Sequence, residues 1–512
     1  MKNFKIHSFL IVLGLIILCG CDKSALTLTD PNNVVTTDFY RSEGDALIGL
    51  AGVLDAYQSN NLMGRKYREF DHITDNATTV QGTGWNDFET DVQSGTSTLV
   101  NNVFWPSYYT VIARANDVIA NLQKMPSGSI TDASKNRILA EASFLRDYAY
   151  CDLTALWGNV PLYLKPLGPF EDPNGATPKA EIYTTMINDL KAMIPNLPLT
   201  ISSSEKGRIP RGAAQALLGK YYLYQKDYVN AAAILKVVID SKVYSLYPNY
   251  ADLFTEKGEF SSESLFEINF TPNSLDRGEN FSFQVDTNAA LVVPSQHWVP
   301  IASLVNSYLC KDGKPIAADP TYGAKSSLYL STKPYANRDP RLTATIYTNA
   351  DVTPSGKKVW KWANVNSFAV KKYSTISNLQ YSNGGPQNYY VIRYADVLLM
   401  YAEAQNEAVS VPDQSIYDAV NLIRDRVTMP HYPTGLSQDQ MRQYIRDERR
   451  WEFALEHQRY FDTQRWGITG QLVRAVLPKK LFTEPRDFLW PYPQNEFDRN
   501  AALKAQGQNP GF

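Results

Sequence analysis

A mainly α fold, built from paired helices with a loop-rich lobe set between them, is what this sequence predicts, and three observations predict it. Apolar residues recur three and four apart in stretches between 43 and 240, and again from 394 to 466. Within 211–240, Leu218-Gly219, Tyr222, Tyr228, Ala231 and Leu235 have the spacing of the tetratricopeptide consensus, in which small residues let two helices approach closely. Between 244 and 388 the helical period is lost and Pro, Gly, Ser and Asn rise, with two short strands suggested at 265–270 and 342–347. The expected architecture is an α-α superhelix of tetratricopeptide-like pairs with an inserted lobe containing short strands. Such superhelices mostly make protein-binding surfaces, so this half is expected to face a partner.

The elements follow in chain order. Residues 1–20 read as a targeting segment: Lys2 and Lys5 precede an apolar stretch at 9–18, too short to span a bilayer. Residues 22–42 read as an extended tether. A helix is expected at 43–57, with Leu47, Leu50, Ala51 and Leu54 on one face. Residues 60–95 lack periodicity and read as a long loop, of the kind that is functional or disordered. It carries Asp71, Asp75, Asn76, Trp85, Asn86 and Asp87. Helices resume with Pro106 as a first-turn proline, at 133–157 up to the Gly158 stop, and at 182–194. After the pair at 211–240 and the inserted lobe, a further pair is expected at 394–407 and 415–427. The organisation that results is 1–20 leader, 21–243 helical, 244–390 inserted lobe and 391–512 helical. Cys151 lies in a helical pattern and is expected as a buried thiol rather than half of a disulfide with Cys310.

Residues 441–466, MRQYIRDERRWEFALEHQRYFDTQRW, contain neither Gly nor Pro and follow Ser437, a plausible N-cap. They predict one long interior helix. Ile445, Arg449, Glu452, Glu456 and Arg459 fall on one stripe. Asp447/Arg450, Arg449/Glu452, Glu456/Arg459 and Asp462/Arg465 are three apart, the spacing of helical ion pairs. Glu448, Glu452 and Glu456 could serve as acid/base carboxylates, but the interleaved arginines favour a buried ion-pair ladder. His457 has Ala454 three residues before it, not Glu, so the helix lacks the pattern of a di-iron site.

Several of these segments resemble one family. IRDERRWEFALEHQRYFDTQRWG, AEASFLRDYAYCDLTALWGNVPL, SSESLFEINF and the closing LWPYPQNEFDRN and QNPGF are similar, in order, to signatures of the SusD/RagB family of outer-membrane nutrient-binding lipoproteins. Leu18-Cys19-Gly20-Cys21 resembles a bacterial lipobox, which makes Cys21 the lipidated first residue of the mature protein. The resemblance implies an outer-membrane location in a Bacteroidetes-type bacterium, lipid-anchored and facing outside. It also implies a SusC-like TonB-dependent barrel as partner. The ligand would be a glycan, or a peptide as in the RagB branch. A tetratricopeptide scaffold that binds only protein stays open beside this reading.

Composition agrees with a binder. The net charge of −2, with no long basic run, lacks the footprint of a nucleic-acid protein. There are 32 Tyr and 9 Trp among 512 residues, enough to leave flat rings for a carbohydrate or peptide surface beyond what a core takes. No P-loop, complete G-x-G-x-x-G, nucleophile elbow or zinc-spaced Cys or His pair is present, so no catalytic residue, cofactor or metal is expected. The expected ligand residues are Asp75, Trp85 and Asn86 in the first long loop, with Gln296 and Trp298 in the inserted lobe. Both regions interrupt helical pairs, and both set a Trp beside hydrogen-bonding side chains.

Overall fold

The structure, a computed structural model, describes residues 39–79, 84–168, 170–271, 298–348, 351, 368–373 and 385–512. Its frame is a run of helices, each packed on the next. They are α1 (Glu43–Gln58), α2 (Trp105–Lys124), α3 (Asp132–Trp157), α4 (Lys179–Met193), α5 (Arg211–Tyr224) and α6 (Tyr228–Asp240). After the inserted lobe, α7 (Tyr394–Ala408) packs on α6 and carries α8 (Gln414–Arg426) and α9 (Gln438–Glu452). The superhelix therefore closes across a break of more than 150 residues in sequence.

Local chemistry explains the boundaries. Ser42 and Asp45 form a reciprocal capping box that starts α1, and Ser437 with Gln440 does the same for α9. Gly158 ends α3 at a positive φ of 74°. The tetratricopeptide spacing has the expected cause: a Cβ on Gly219 would sit 2.6 Å from Leu235 Cγ, so α5 and α6 touch there only because the residue is glycine. The tail folds back onto the helices. Trp490 N donates to the Leu156 carbonyl at 2.7 Å, and Asn509 Nδ2 caps the carbonyls of Trp157 and Trp490 at 2.9 and 2.7 Å. Cys151 and Cys310 are both free and buried.

Four short antiparallel strand pairs lie among the described residues. β1 (Ala77–Thr78) pairs with β5 (Val299–Pro300), and β2 (Val160–Pro161) with β3 (Ala176–Thr177). β4 (Ser264–Ile268) pairs with β8 (Tyr389–Arg393), and β6 (Ile346–Tyr347) with β7 (Ala369–Val370). The strand expected at 342–347 is mostly the short helix Pro340–Thr345: Asp339 caps it by accepting from Arg341 N, and Pro340 suits the first turn. One buried apolar cluster includes residues from both helical parts and the lobe.

Two further expectations are corrected. The stretch 60–95 is not an open loop. It forms a 3₁₀ segment (Lys66–Ile73), β1 and a short helix (Trp85–Glu89), and Tyr67, Phe70 and Trp85 join the main core. The long helix of 441–466 is two, α9 and α10 (Gln458–Trp466), separated by a turn with Leu455 and His457 at φ 64° and 76°. The helical hydrogen bonds lost there are replaced from other elements. The Glu452 carbonyl accepts from Tyr250 Oη (2.7 Å), Lys372 Nζ (3.2 Å) and Arg393 Nη2 (3.4 Å), and the Glu456 carbonyl from Tyr389 Oη (3.0 Å). Of the four expected ion pairs within the helix, Asp462–Arg465 forms at 2.8 Å. The other charges reach across to different elements: Arg449 to Asp396 and Asp462, Glu452 to Arg341, Arg393 and Arg426.

Candidate functional site

The two stretches singled out in sequence meet in space. Ala77 lies opposite Pro300 and Thr78 opposite Val299, and Ile301 N donates to the Asn76 carbonyl at 3.0 Å. So short a strand pair cannot hold itself, and buried charges hold it from beneath. Lys480 Nζ donates to the carbonyls of His72, Thr74 and Ala77. Glu89 accepts from Thr78 Oγ1 (2.7 Å), Thr79 N (3.2 Å) and Lys479 Nζ (2.9 Å). Arg450 Nε donates to Asn76 Oδ1 (2.9 Å) and its Nη2 to Ser303 Oγ (3.0 Å), bridging the two stretches. Arg459 grips Asp75 with two bonds of 2.8 Å.

These partners set the ionisation. Burial pushes the Asp75 carboxyl up, but Arg450 and Arg459 outweigh it and hold the group well below the usual range. Burial likewise opposes Glu69, and Lys66 and Arg65 bring it down to about 2. Asp71 has no cation so close. Burial raises it to about 6, tempered by the donors of Asn76 and Thr74. Burial lowers Lys480 to about 8, against the pull of Glu89.

Three of the expected ligand residues are corrected by this geometry. Trp85 is wholly buried. Its ring packs edge-on against Phe70 and Phe104, at 5.3 and 5.8 Å, and its indole N–H donates to Glu69 Oε2 at 2.7 Å. Trp298 is 3% exposed, its ring 6.0 Å from that of His72. Asp75 is 2% exposed with both oxygens on Arg459. The apolar rings gain from burial, and the arginines offset the cost of burying the carboxylate, so none of the three offers a face to a ligand. Asn86 is partly exposed. Its carbonyl accepts from Thr90, while its carboxamide has no protein partner among the described residues. Gln296 and Cys21 lie outside the described residues. Lys480 and the bridging role of Arg450 and Arg459 escaped sequence reading, which had paired those arginines within their own helix.

The carboxylates of α9 and the turn after it are closed to substrate. Glu448 accepts from Arg341, Arg424 and Tyr432, at 2.6, 2.8 and 2.8 Å, and Glu456 from Lys372 and Arg393 at 2.7 and 2.8 Å. Burial works against the ionised forms of Glu448 and Glu452, but their arginine partners hold both below the ordinary range. Among the described residues no three His, Cys, Asp or Glu side chains are placed to hold a metal ion.

Comparison with known proteins agrees with this fold. The family model described as the SusD family matches residues 262–512, and one described as "Starch-binding associating with outer membrane" matches 40–223. The chain belongs to the SusD/RagB family. Among its relatives, the SusD-like protein P25 of Formosa agariphila is 25% identical over 99% of this chain and 100% of that protein. A SusD-like carbohydrate-binding protein of Bacteroides fragilis superposes with a TM-score of 0.79 at 25% identity, covering 91% of this chain and 99% of the other. A laminarin-binding SusD-like protein gives 0.70 at 27%, covering 92% and 100%. The tetratricopeptide-like helical frame is thus that of this SusD/RagB protein's family.

Proposed function

We propose that this protein is a surface-exposed outer-membrane lipoprotein that captures an oligo- or polysaccharide and hands it, chemically unchanged, to a SusC-like TonB-dependent barrel. The observation that carries the reading is a SusD-like fold over 91–92% of the chain, together with similar proteins named for binding carbohydrate and laminarin. The outer-membrane location is supported by the name of the model matching 40–223, and the acyl anchor by the lipobox-like residues before Cys21. No helix among the described residues is long and apolar enough to cross a membrane. The ligand is met beside Asn86, whose partly exposed carboxamide is open to it, while Trp85, Asp75 and Trp298 are buried in the core.

The test is a panel of oligosaccharides and peptides titrated against the soluble body that begins after Cys21. Binding of an oligosaccharide is expected. Asn86→Ala should weaken it by roughly three- to tenfold, the worth of one hydrogen bond, at unchanged melting temperature. Binding of peptides alone would replace the glycan reading. In cells, Cys21→Ala should move the full chain from the membrane pellet to the soluble fraction, and a variant that still pellets in a strain without the barrel would rule out the acyl anchor.

A further inference from the structure

A cavity lies where several helix ends converge. It has a volume of about 390 Å³ and is lined from the end of α3 (Ala155), the first residue of α4 (Lys179), the end of α5 and its turn (Tyr224, Lys226), the end of α10 (Phe461, Gln464, Arg465, Trp466, Gly467), and Phe488 and Leu489. None of these residues belongs to the β1/β5 site. No Asp or Glu is in the lining, while three cations are.

The three cations differ. Arg465 is committed to Glu403 and Asp462. Lys179 and Lys226 have no carboxylate partner among the described residues. Lys226 is exposed at the mouth, beside exposed Gly467. Lys179 is only partly exposed, its ammonium 5.2 Å from the centre of the Tyr183 ring. Burial lowers its basicity, and no nearby acid other than the Cys151 thiol opposes that shift. A half-buried ammonium without a counter-charge is costly, and an incoming anion would relieve that cost. Tyr224, Trp466 and Phe488 are each partly exposed around the same space, and the Tyr224 hydroxyl has no protein partner among the described residues.

We propose that this cavity is an anion subsite for a carboxylate-bearing sugar, whose charge is met by Lys179 and Lys226 and whose ring lies among Tyr224, Trp466 and Phe488. The volume argues for a ring rather than a small inorganic ion, since 390 Å³ falls within the range of small-molecule pockets. The choice of a sugar to carry the charge rests on the glycan-capture reading.

The experiment is calorimetric titration of the soluble body with sodium glucuronate, glucose and sodium acetate at low ionic strength. Glucuronate is expected to bind more tightly than acetate, and glucose not to bind in the same range. Lys179→Gln should weaken glucuronate binding about tenfold and Lys226→Gln severalfold, with melting temperatures within a degree or two of the parent; a tenfold loss corresponds to 1.4 kcal/mol. Neutral oligosaccharide binding, read in the same samples, should be untouched by either substitution. That separates failure of this subsite from failure of glycan capture. Glucuronate that fails to bind, or binds equally well to both variants, overturns the subsite. Acetate that binds as tightly as glucuronate overturns the sugar and leaves a bare charge site in its place.

Discussion

Trp85 shows how one residue changes meaning between chain and fold. In sequence it stands among Gly, Asn and Asp, where a ring has no helical face to join. In the structure its N–H meets Glu69 and its ring packs edge-on against both Phe70 and Phe104. Trp85→Ala should therefore cost about 3–5 kcal/mol of stability, chiefly from the cavity it leaves, with the loss of one hydrogen bond to Glu69 Oε2, which keeps Lys66. Urea unfolding would show this as a lower midpoint at unchanged slope. A variant of parental stability that had lost glycan affinity would return Trp85 to the ligand. Asp75 follows the same logic: two arginines claim the carboxylate, and a residue so held shapes a site without touching what binds there.

At the scale of elements, the break between α9 and α10 is the main departure from the sequence pattern. Nothing in 441–466 is a helix breaker, and one straight helix would satisfy its own backbone. The turn forms because Tyr250, Lys372, Arg393 and Tyr389 supply donors to the Glu452 and Glu456 carbonyls. It also brings Glu452 among Arg341, Arg393 and Arg426, all buried. Glu452→Ala leaves those guanidinium groups facing one another. About 3–5 kcal/mol should be lost, with glycan binding by the folded fraction unchanged. Thermal melts read beside the binding titration check both halves. A stable variant with abolished binding would give this carboxylate a role in the site.

At the scale of the whole molecule, β4 against β8 ties the segment after α6 to the strand that leads into α7. Polar groups line that seam. Glu267 is buried on β4 and accepts from Phe260 N and Asn388 Nδ2 at 3.0 Å and from Ser264 Oγ at 2.8 Å. Half-buried Glu259 accepts from Asn388 N at 2.8 Å. Burial raises both carboxyls to about 7, partly offset by these donors. A carboxyl whose pKa is higher folded than unfolded contributes stability that is fully present below about pH 4 and is lost as pH rises through about 7. Replacing Glu267 by Gln removes its share of that loss. The variant should gain about 2–3 kcal/mol on the parent between pH 5 and pH 8, read from denaturant unfolding at both values. A gap that stays constant with pH would show that Glu267 is not buried as a neutral acid.

How much of this was legible in the chain depends on the range of the interactions. Helices α1 to α8, their caps and the Gly219 contact are written locally, because periodicity, capping side chains and glycine act over a few residues. The two stretches bearing the candidate site were also visible as interruptions of that pattern. Which side chains in them face outward was not. The β1/β5 pairing, the grip of Arg459 on Asp75 and the seating of Trp85 on Glu69 each join residues that no short-range pattern relates. The cavity of Lys179 and Lys226 is assembled from the ends of separate helices and left no trace in sequence. Sequence by itself determined the superhelix and where it is interrupted, since hydrogen bonds and apolar faces repeat along the chain. The tertiary structure alone decided which charges pair and which rings are buried, because burial is a property of what packs opposite.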